Sequence, residues 1–120
     1  MKNPKKLARL LKVLSVDTRV RIVQLLKGQA LCVNALATRL KVTQGAVSQH
    51  LRFMRDAGLV IDEKHGYFVH YRLNDDTLAA WREEIYQLLD PIQGARSNKK
   101  GELECAAAMK KRKAARNRKS

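Results

Sequence analysis

Cysteine is scarce in this sequence, and several kinds of catalytic motif are missing from it. The 120 residues include two cysteines, Cys32 and Cys105, and no CxxC motif, so they supply neither a disulfide framework nor a complete zinc site. The sequence has no Gly-rich phosphate loop, no pair of carboxylates at a catalytic spacing and no Cys/His nucleophile pair. These absences argue against an enzyme and against a bound cofactor or metal.

Long apolar runs are also lacking. No stretch of about 18 apolar residues occurs, and the first six residues, MKNPKK, are followed by amphipathic sequence. We therefore expect neither a membrane-spanning helix nor a secretory signal peptide, and we predict a cytoplasmic protein that contacts no membrane. A chain of this length is sufficient for one domain with a modest core.

Aromatic residues make up 5% of the sequence and form no RNP-like pattern, which argues against stacking on single-stranded nucleic acid. Positive charge, in contrast, is abundant. The chain has 25 Lys and Arg against 11 Asp and Glu, a net charge of +14. Such an excess favours a polyanion as partner.

The positive charge is unevenly distributed along the chain. Residues 1–95 carry a net charge of +6, whereas residues 96–120 carry +8 and almost no large apolar side chain. We interpret the first range as the folded domain and the second as a basic, flexible tail. Residues 102–116 are rich enough in Ala and Lys to become helical against a polyanion. The tail is either a solubilising segment or a phosphate-binding arm, and its composition permits both.

Apolar spacing predicts a mostly helical chain with one β-hairpin. Asp17 and Thr43 are predicted N-caps, and glycines follow the ends of two helices. Gly66 is predicted to lie in the hairpin turn, at the end of residues 62–66. The predicted order is helix (4–15), helix (17–28), short extended piece (29–32), helix (33–40), helix (43–58), strand (59–61), strand (67–73) and helix (75–90).

Residues 33–57 have the pattern of a helix-turn-helix, in which the second helix is polar outside and apolar inside. At 3.6 residues per turn its polar residues share one face opposite Val47, Leu51 and Met54. Gln pairs well with adenine, Arg with guanine or phosphate, and Gly45 would allow close approach of the backbone to a duplex. The candidate contacts to the major groove and its phosphates are Thr43, Gln44, Ser48, Gln49 and Arg52.

The same polar face is also compatible with an ordinary solvated helix, since short helices with one polar face are common. The hairpin that follows favours the DNA interpretation. Its Lys64, His65 and Arg72 would lie on a two-stranded ribbon beside the helix, where they would contact the DNA backbone or the minor groove.

Three segments of the chain resemble the ArsR/SmtB family of winged-helix repressors: LKVLSVDTRVRIV (11–23), VSQHLRFMRDAGLV (47–60) and GYFVHYRL (66–73). The resemblance covers about residues 7–90. It implies a winged helix-turn-helix fold and a homodimer built from the first and last helices. It also implies binding to double-stranded DNA at an operator of imperfect two-fold symmetry, with release when an effector ion or oxidant binds. Independently, the apolar stripes at residues 7–14 and 78–89 exceed what a small monomer readily covers, which supports a dimer.

The chain departs from the metal-sensing members that it resembles. Those members carry a Leu-Cys-Val-Cys type of motif, whereas residues 31–34 read LCVN, so Cys32 is kept and Asn34 replaces the second thiolate. A soft-metal or arsenic(III) site needs two or three thiolates. Other members place Asp and His ligands on the last helix, which has no His here. We therefore predict a regulator that lacks the usual metal ligands of the family.

The histidines and cysteines leave two further interpretations. His50 is expected to be packed or to face a phosphate rather than to bind a metal. Cys32 is expected at the N-cap of its helix, a position that Ser or Thr fills better. It is either an inert small apolar residue or a redox sensor that pairs with Cys105 of the same or the other subunit.

Taken together, these patterns predict a homodimeric, sequence-specific transcriptional regulator that represses by occupying promoter DNA and has no enzymatic activity. A non-specific architectural protein would use the same basic surface without reading bases. A thiol-sensing repressor that uses Cys32 and Cys105 is the other alternative.

Overall fold

The computed structural model describes residues 3–91 and 99–118. The chain is divided into two compact units, of which the first ends at Leu89 and the second begins at Asp90. No helix within the described ranges is long and apolar enough to cross a membrane. The elements, in chain order, are α1 (Pro4–Val13), α2 (Asp17–Leu25), β1 (Leu31–Cys32), α3 (Val33–Leu40), α4 (Gln44–Asp56), β2 (Val60–His65), β3 (Phe68–Leu73), α5 (Asp75–Leu89) and α6 (Lys99–Arg118).

Local signals explain most of the helix boundaries. Asn3 caps α1 by accepting a hydrogen bond from the Lys6 N–H at 3.2 Å, and Pro4 occupies the first turn, where its missing N–H costs nothing. The predicted cap of α2 is wrong by one residue. Val16 is the N-cap and contributes no side-chain bond, while Asp17 is the first helical residue. Its carboxylate still stabilises the helix through the positive end of the helix dipole.

The core of the first unit lies between α2, α3, α4 and the base of the sheet. Of the four side chains predicted to face inward on α4, Val47, Leu51 and Met54 are fully buried and Ala46 is only partly buried. Ile22 of α2 and Leu36 of α3 are also at 0% exposure, so three helices share one apolar centre. This packing fixes the direction in which the opposite face of α4 points.

The sheet has three antiparallel strands in the order β1-β3-β2. The predicted limits of the hairpin are wrong, because residues 62–65 belong to β2 rather than to the turn. His65 pairs with Phe68, which leaves Gly66 and Tyr67 as a two-residue turn. Gly66 has φ +63°, the left-handed value that a type II′ turn requires at its first central position. Polar residues can extend β2 because that strand is the sheet edge and much of it is solvent-exposed.

The helix α5 begins at Asp75, as predicted, and the Asn74 side chain accepts from the Thr77 N–H at 3.3 Å. Its apolar stripe is only partly covered within the unit. Tyr86, Leu88 and Leu89 are 62%, 42% and 73% exposed, and Leu11 of α1 is 38% exposed.

The second unit contains α6, a helix of 20 residues that includes residues 102–116, the stretch predicted to become helical against a polyanion. The predicted domain boundary at residues 95 and 96 lies outside the described residues, and the flexibility of the tail stays a prediction. In the first unit, the predicted architecture is confirmed: a mostly α-helical winged helix-turn-helix with a small β-hairpin as the wing.

Candidate nucleic-acid interface

The turn between α3 and α4 orients the second helix. Lys41 adopts the left-handed conformation at φ 58°, and the Val42 N–H donates to the Ala37 carbonyl at 3.2 Å. Thr43 then caps α4, since its hydroxyl oxygen accepts from the Ala46 N–H at 3.1 Å. Thr43, one of the predicted DNA contacts, therefore also has a structural role as the cap of α4.

The outer face of α4 presents the remaining predicted residues together. Every one of these side chains is exposed, and among the described residues none has a hydrogen-bond or ion-pair partner: Gln44, Ser48, Gln49 and Arg52. Gly45 lies on the same face, and a Cβ added there would meet nothing within 4 Å. An external ligand could therefore bind these amide, hydroxyl and guanidinium groups without breaking a hydrogen bond or ion pair within the described part of the protein.

An ion pair joins the end of α4 to the wing. The Arg55 Nη1 atom lies 3.6 Å from the Asp62 Oδ2 atom on β2, and both side chains are about half exposed (44% and 45%). Exposed pairs of this kind contribute little free energy. The pair nevertheless identifies the edge of the hairpin that lies against α4.

The three predicted wing residues differ in how free they are. The Lys64 side chain is exposed and, within the described part of the chain, has no hydrogen-bond or ion-pair partner. Arg72 donates a hydrogen bond to Glu63 on the neighbouring strand, and His65 lies 3.3 Å from the other oxygen of the same carboxylate. The Lys64 side chain is thus available to bind an external phosphate, whereas Arg72 and His65 both contact Glu63.

Glu63 is a residue that sequence reasoning missed. The hydrogen bond from Arg72, followed by that from His65, lowers the pKa of the Glu63 carboxyl below its ordinary value. Glu63 is therefore an anion in the middle of a ribbon expected to meet phosphates. Its pairing with Arg72 is diagonal across β2 and β3, and this relationship becomes visible only once the strand register is known.

Tyr67 is the second residue that was missed. It forms the tip of the wing with Gly66 and is fully exposed at 100%, and its neighbour Phe68 is 58% exposed. The sequence does contain a signal for this residue. If Gly66 is taken as the first residue of a two-residue turn, the aromatic residue that follows it must lie at the tip.

A side-chain network holds α4 against α2. The Arg19 Nε–H donates to Nδ1 of His50 at 3.2 Å, and the Arg19 guanidinium lies 4.1 Å from the centre of the Phe53 ring. His50 is half-buried in this network, which agrees with the first of the two expectations for it, packing rather than a contact to phosphate. Burial, and secondly the charge of Arg19, lower the pKa of His50 below its ordinary value. At neutral pH its ring is uncharged and accepts from Arg19.

Both cysteines are free thiols. Cys32 is half-buried and is the N-cap of α3, as predicted, without a side-chain cap bond. It also ends β1, where it pairs with His70 of the wing. The Nδ1 atom of His70 is buried and has no hydrogen-bond partner in the described part of the chain. Cys105 is exposed on α6. Among the residues that the structure describes, no group of three or more His, Cys, Asp or Glu is arranged to hold a metal ion.

Comparison with known proteins gives a consistent match. The family model described as "Bacterial regulatory protein, arsR family" matches residues 17–62, a segment that contains α2, the helix-turn-helix and the start of β2. The arsenical resistance operon repressor of Escherichia coli is 43% identical over 77 residues, which are 63% of this chain and 65% of that protein. This chain therefore spans just under two thirds of the length of that relative.

Two further proteins match over longer ranges. The transcriptional activator HlyU of Vibrio cholerae is 36% identical over 72% of this chain and 81% of its own length. The structure of HlyU superposes with a TM-score of 0.60 over 75% of this chain and 98% of that one, at 34% identity. A homodimeric winged helix-turn-helix DNA-binding domain from Mycobacterium bovis superposes with a TM-score of 0.59 at 25% identity, over 70% of this chain and 79% of that one.

Proposed function

Since this chain belongs to the arsR family of bacterial regulatory proteins, we propose that it is a sequence-specific regulator of transcription that binds double-stranded DNA as a homodimer. In this proposal α4 is the recognition helix and enters the major groove. The hairpin of β2 and β3 is the wing and contacts the adjacent backbone or minor groove.

The exposed face of α4 is the observation that carries this proposal. Three buried residues, Val47, Leu51 and Met54, attach one side of the helix to the core. The other side carries polar groups that have no partner among the described residues. Gln49 suits adenine and Arg52 suits guanine or a phosphate. A helix that merely faced solvent would satisfy the burial pattern equally well, so affinity for a defined DNA sequence is the property that separates the two interpretations.

The proposed dimer uses α1 and α5. Both carry apolar side chains that the first unit leaves uncovered, among them Leu11, Tyr86 and Leu89. A symmetric interface would bury them and place the two α4 helices at successive turns of a palindromic site. The related M. bovis domain is homodimeric, which supports a dimer but does not identify its interface.

We propose that the regulator acts as a repressor and does not use the thiolate metal site of its relatives. The E. coli relative is a repressor and the V. cholerae relative is an activator, so the direction of regulation rests on the simplest mechanism, which is occupation of a promoter. Cys32 and Asn34 supply one thiolate and one amide, and this pair is a poor ligand set for arsenic(III) or zinc.

Recovery of genomic fragments that bind the purified chain tests the proposal. We expect recovery of a short inverted repeat that remains bound in the presence of a large excess of random duplex. Sedimentation should give a dimer both free and bound. Equal competition by random duplex would instead identify a non-specific architectural protein.

Thiol sensing is the second candidate function. Cys32 lies at the junction of β1 and the helix-turn-helix. A modified sulfur there would disturb both the start of α3 and the pairing of β1 with His70 of the wing. If this function is correct, an oxidant should release the recovered DNA from the native chain and not from Cys32→Ser. Release that is unchanged in Cys32→Ser would exclude it.

A further inference from the structure

We propose that α6 is a second DNA-binding element, which binds the phosphate backbone flanking the site read by α4 and adds affinity without sequence preference. The inference rests on the proposed function, because it takes duplex DNA as the ligand. It gives a role to the basic tail, for which the sequence leaves two interpretations open.

The charge of α6 is concentrated in its second half. Five exposed basic side chains lie within residues 110–116, and they are called the basic segment below: Lys110, Lys111, Arg112, Lys113 and Arg116. The described acidic residues of α6, Glu102 and Glu104, lie near its start. The helix dipole favours both of these placements, although Lys99 and Lys100 at the first two positions of α6 are basic residues at the end that it disfavours. A helix can therefore form here in spite of its high charge.

Repulsion within the basic segment favours an anionic ligand. Lys110 and Lys113 are three positions apart and Arg112 and Arg116 are four apart, so like charges face each other along the helix at a cost in free energy. Binding of DNA phosphates to this surface would relieve that repulsion and would release counterions from the DNA. A duplex is the macromolecule that carries such charge at the required density.

The distribution of apolar residues argues against a protein groove as the ligand. Leu103 and Met109 are the large apolar side chains of α6, and both are 71% exposed. They are six positions apart, which corresponds to about 240° around a helix, so they do not form one stripe. An amphipathic helix that docks into a groove needs such a stripe.

The solubilising interpretation explains less. Residues 1–95 already carry a net charge of +6, and a net charge of about 2 to 8 is sufficient to keep a small domain soluble. A further +8 in the last 25 residues exceeds that need. Its arrangement as a helix with a defined basic end is what a phosphate-binding surface requires.

The test is a set of full-length variants whose affinities are measured over a range of salt concentrations. In the neutral variant all five residues of the basic segment are changed to Gln, which preserves helix propensity. In the control variant Lys110, Lys111 and Lys113 are changed to Arg, which keeps the charge. The ligands are the duplex recovered from genomic DNA and a shuffled duplex of the same length.

We expect the neutral variant to lose affinity for both duplexes by the same factor, so that the preference for the recovered site is unchanged. The slope of log affinity against log salt should become shallower by about 0.9 for each phosphate that the variant no longer neutralises, in total about 2 to 4, because only one side of a helix meets the duplex. The Lys-to-Arg control should keep the slope of the native chain.

Two outcomes would overturn the inference: an unchanged salt slope, or a loss of affinity confined to the recovered site. Failure of the proposed function is distinguishable from these. In that case the native chain would show no preference between the recovered and shuffled duplexes, whatever the slope.

Discussion

The Nε–H of Arg19 on α2 donates a hydrogen bond to Nδ1 of His50 on α4, over a distance of 3.2 Å and across 31 positions of sequence. The same guanidinium lies over the Phe53 ring, and its Nη1 donates to the Val13 carbonyl at 3.4 Å. One side chain thus ties α2 to the proposed recognition helix and to the end of α1. The angle at which α4 is presented depends on this contact as well as on the apolar core.

Substitution of Arg19 should loosen the recognition helix. We expect Arg19→Ala to lower the free energy of unfolding by about 1–2 kcal/mol, because its hydrogen bonds and its cation–π interaction are removed. Urea denaturation of the full chain measures this. Arg9→Ala is the matched control, because Arg9 is exposed on α1 and has no partner among the described residues. An equal loss in both variants would contradict the role assigned to Arg19.

The stability of the protein should fall below neutral pH through His50. Its pKa in the folded state is lowered from 6.5 by burial and by Arg19, so the unfolded chain takes up a proton first as the pH falls. The stabilisation is therefore complete above the unfolded pKa and is lost as the pH falls through the folded pKa.

The matched variant for this pH effect is His50→Asn, whose Oδ1 can still accept from Arg19. Between about pH 7.5 and pH 5.5 the free energy of unfolding of the variant should fall less than that of the native chain. The two proteins differ only at residue 50, so the comparison isolates the contribution of His50. Identical pH profiles would show that burial of His50 has no effect on its titration in solution.

Helix α4 could be predicted because its signals are local. Thr43 caps it, Val47, Leu51 and Met54 repeat at helical spacing, and Gly58 follows its end. These residues act within a few positions of one another. The outer face then follows from geometry, which is why the predicted α4 residues are found together.

The pairings of Arg19 and Arg72 could not be predicted in this way. Arg19 meets His50 only because α2 and α4 pack on one core, and Arg72 meets Glu63 only through the register of β2 and β3. The extent of β2 was missed for a related reason. Polar residues 62–65 have the composition of a loop, and their pairing with β3 stabilises them as a strand.

Gln49 should carry base specificity. We expect Gln49→Ala to weaken binding to the recovered site by about 1–3 kcal/mol and to change binding to random duplex little. Gln24→Ala on α2 removes the same kind of exposed side chain away from the proposed interface. Equal losses on both DNAs for Gln49→Ala would remove the claim of direct readout.

Glu63 should restrain the wing from binding phosphate. Its lowered pKa keeps it ionised at neutral pH, so it repels the DNA backbone and engages Arg72. Glu63→Gln should raise the affinity for any duplex several-fold and steepen the salt slope by up to about 0.9, the contribution of one new phosphate contact. Glu83→Gln on α5 removes an equal charge and is expected to leave the slope unchanged. A shallower slope in Glu63→Gln would mean that Glu63 positions Arg72 for DNA.

Substitution of Gly45 should affect the stability of the fold and the affinity for DNA in different ways. Its φ is not in the left-handed region, and a Cβ would meet nothing within 4 Å. In the free protein Gly45→Ala should therefore be neutral or should stabilise α4, by up to about 1 kcal/mol. On DNA the added methyl group would stand between the helix backbone and the duplex, so affinity for the recovered site should fall. Thermal denaturation and binding assays on one preparation measure both effects. A variant that is more stable and binds equally well would mean that the start of α4 does not approach the duplex closely.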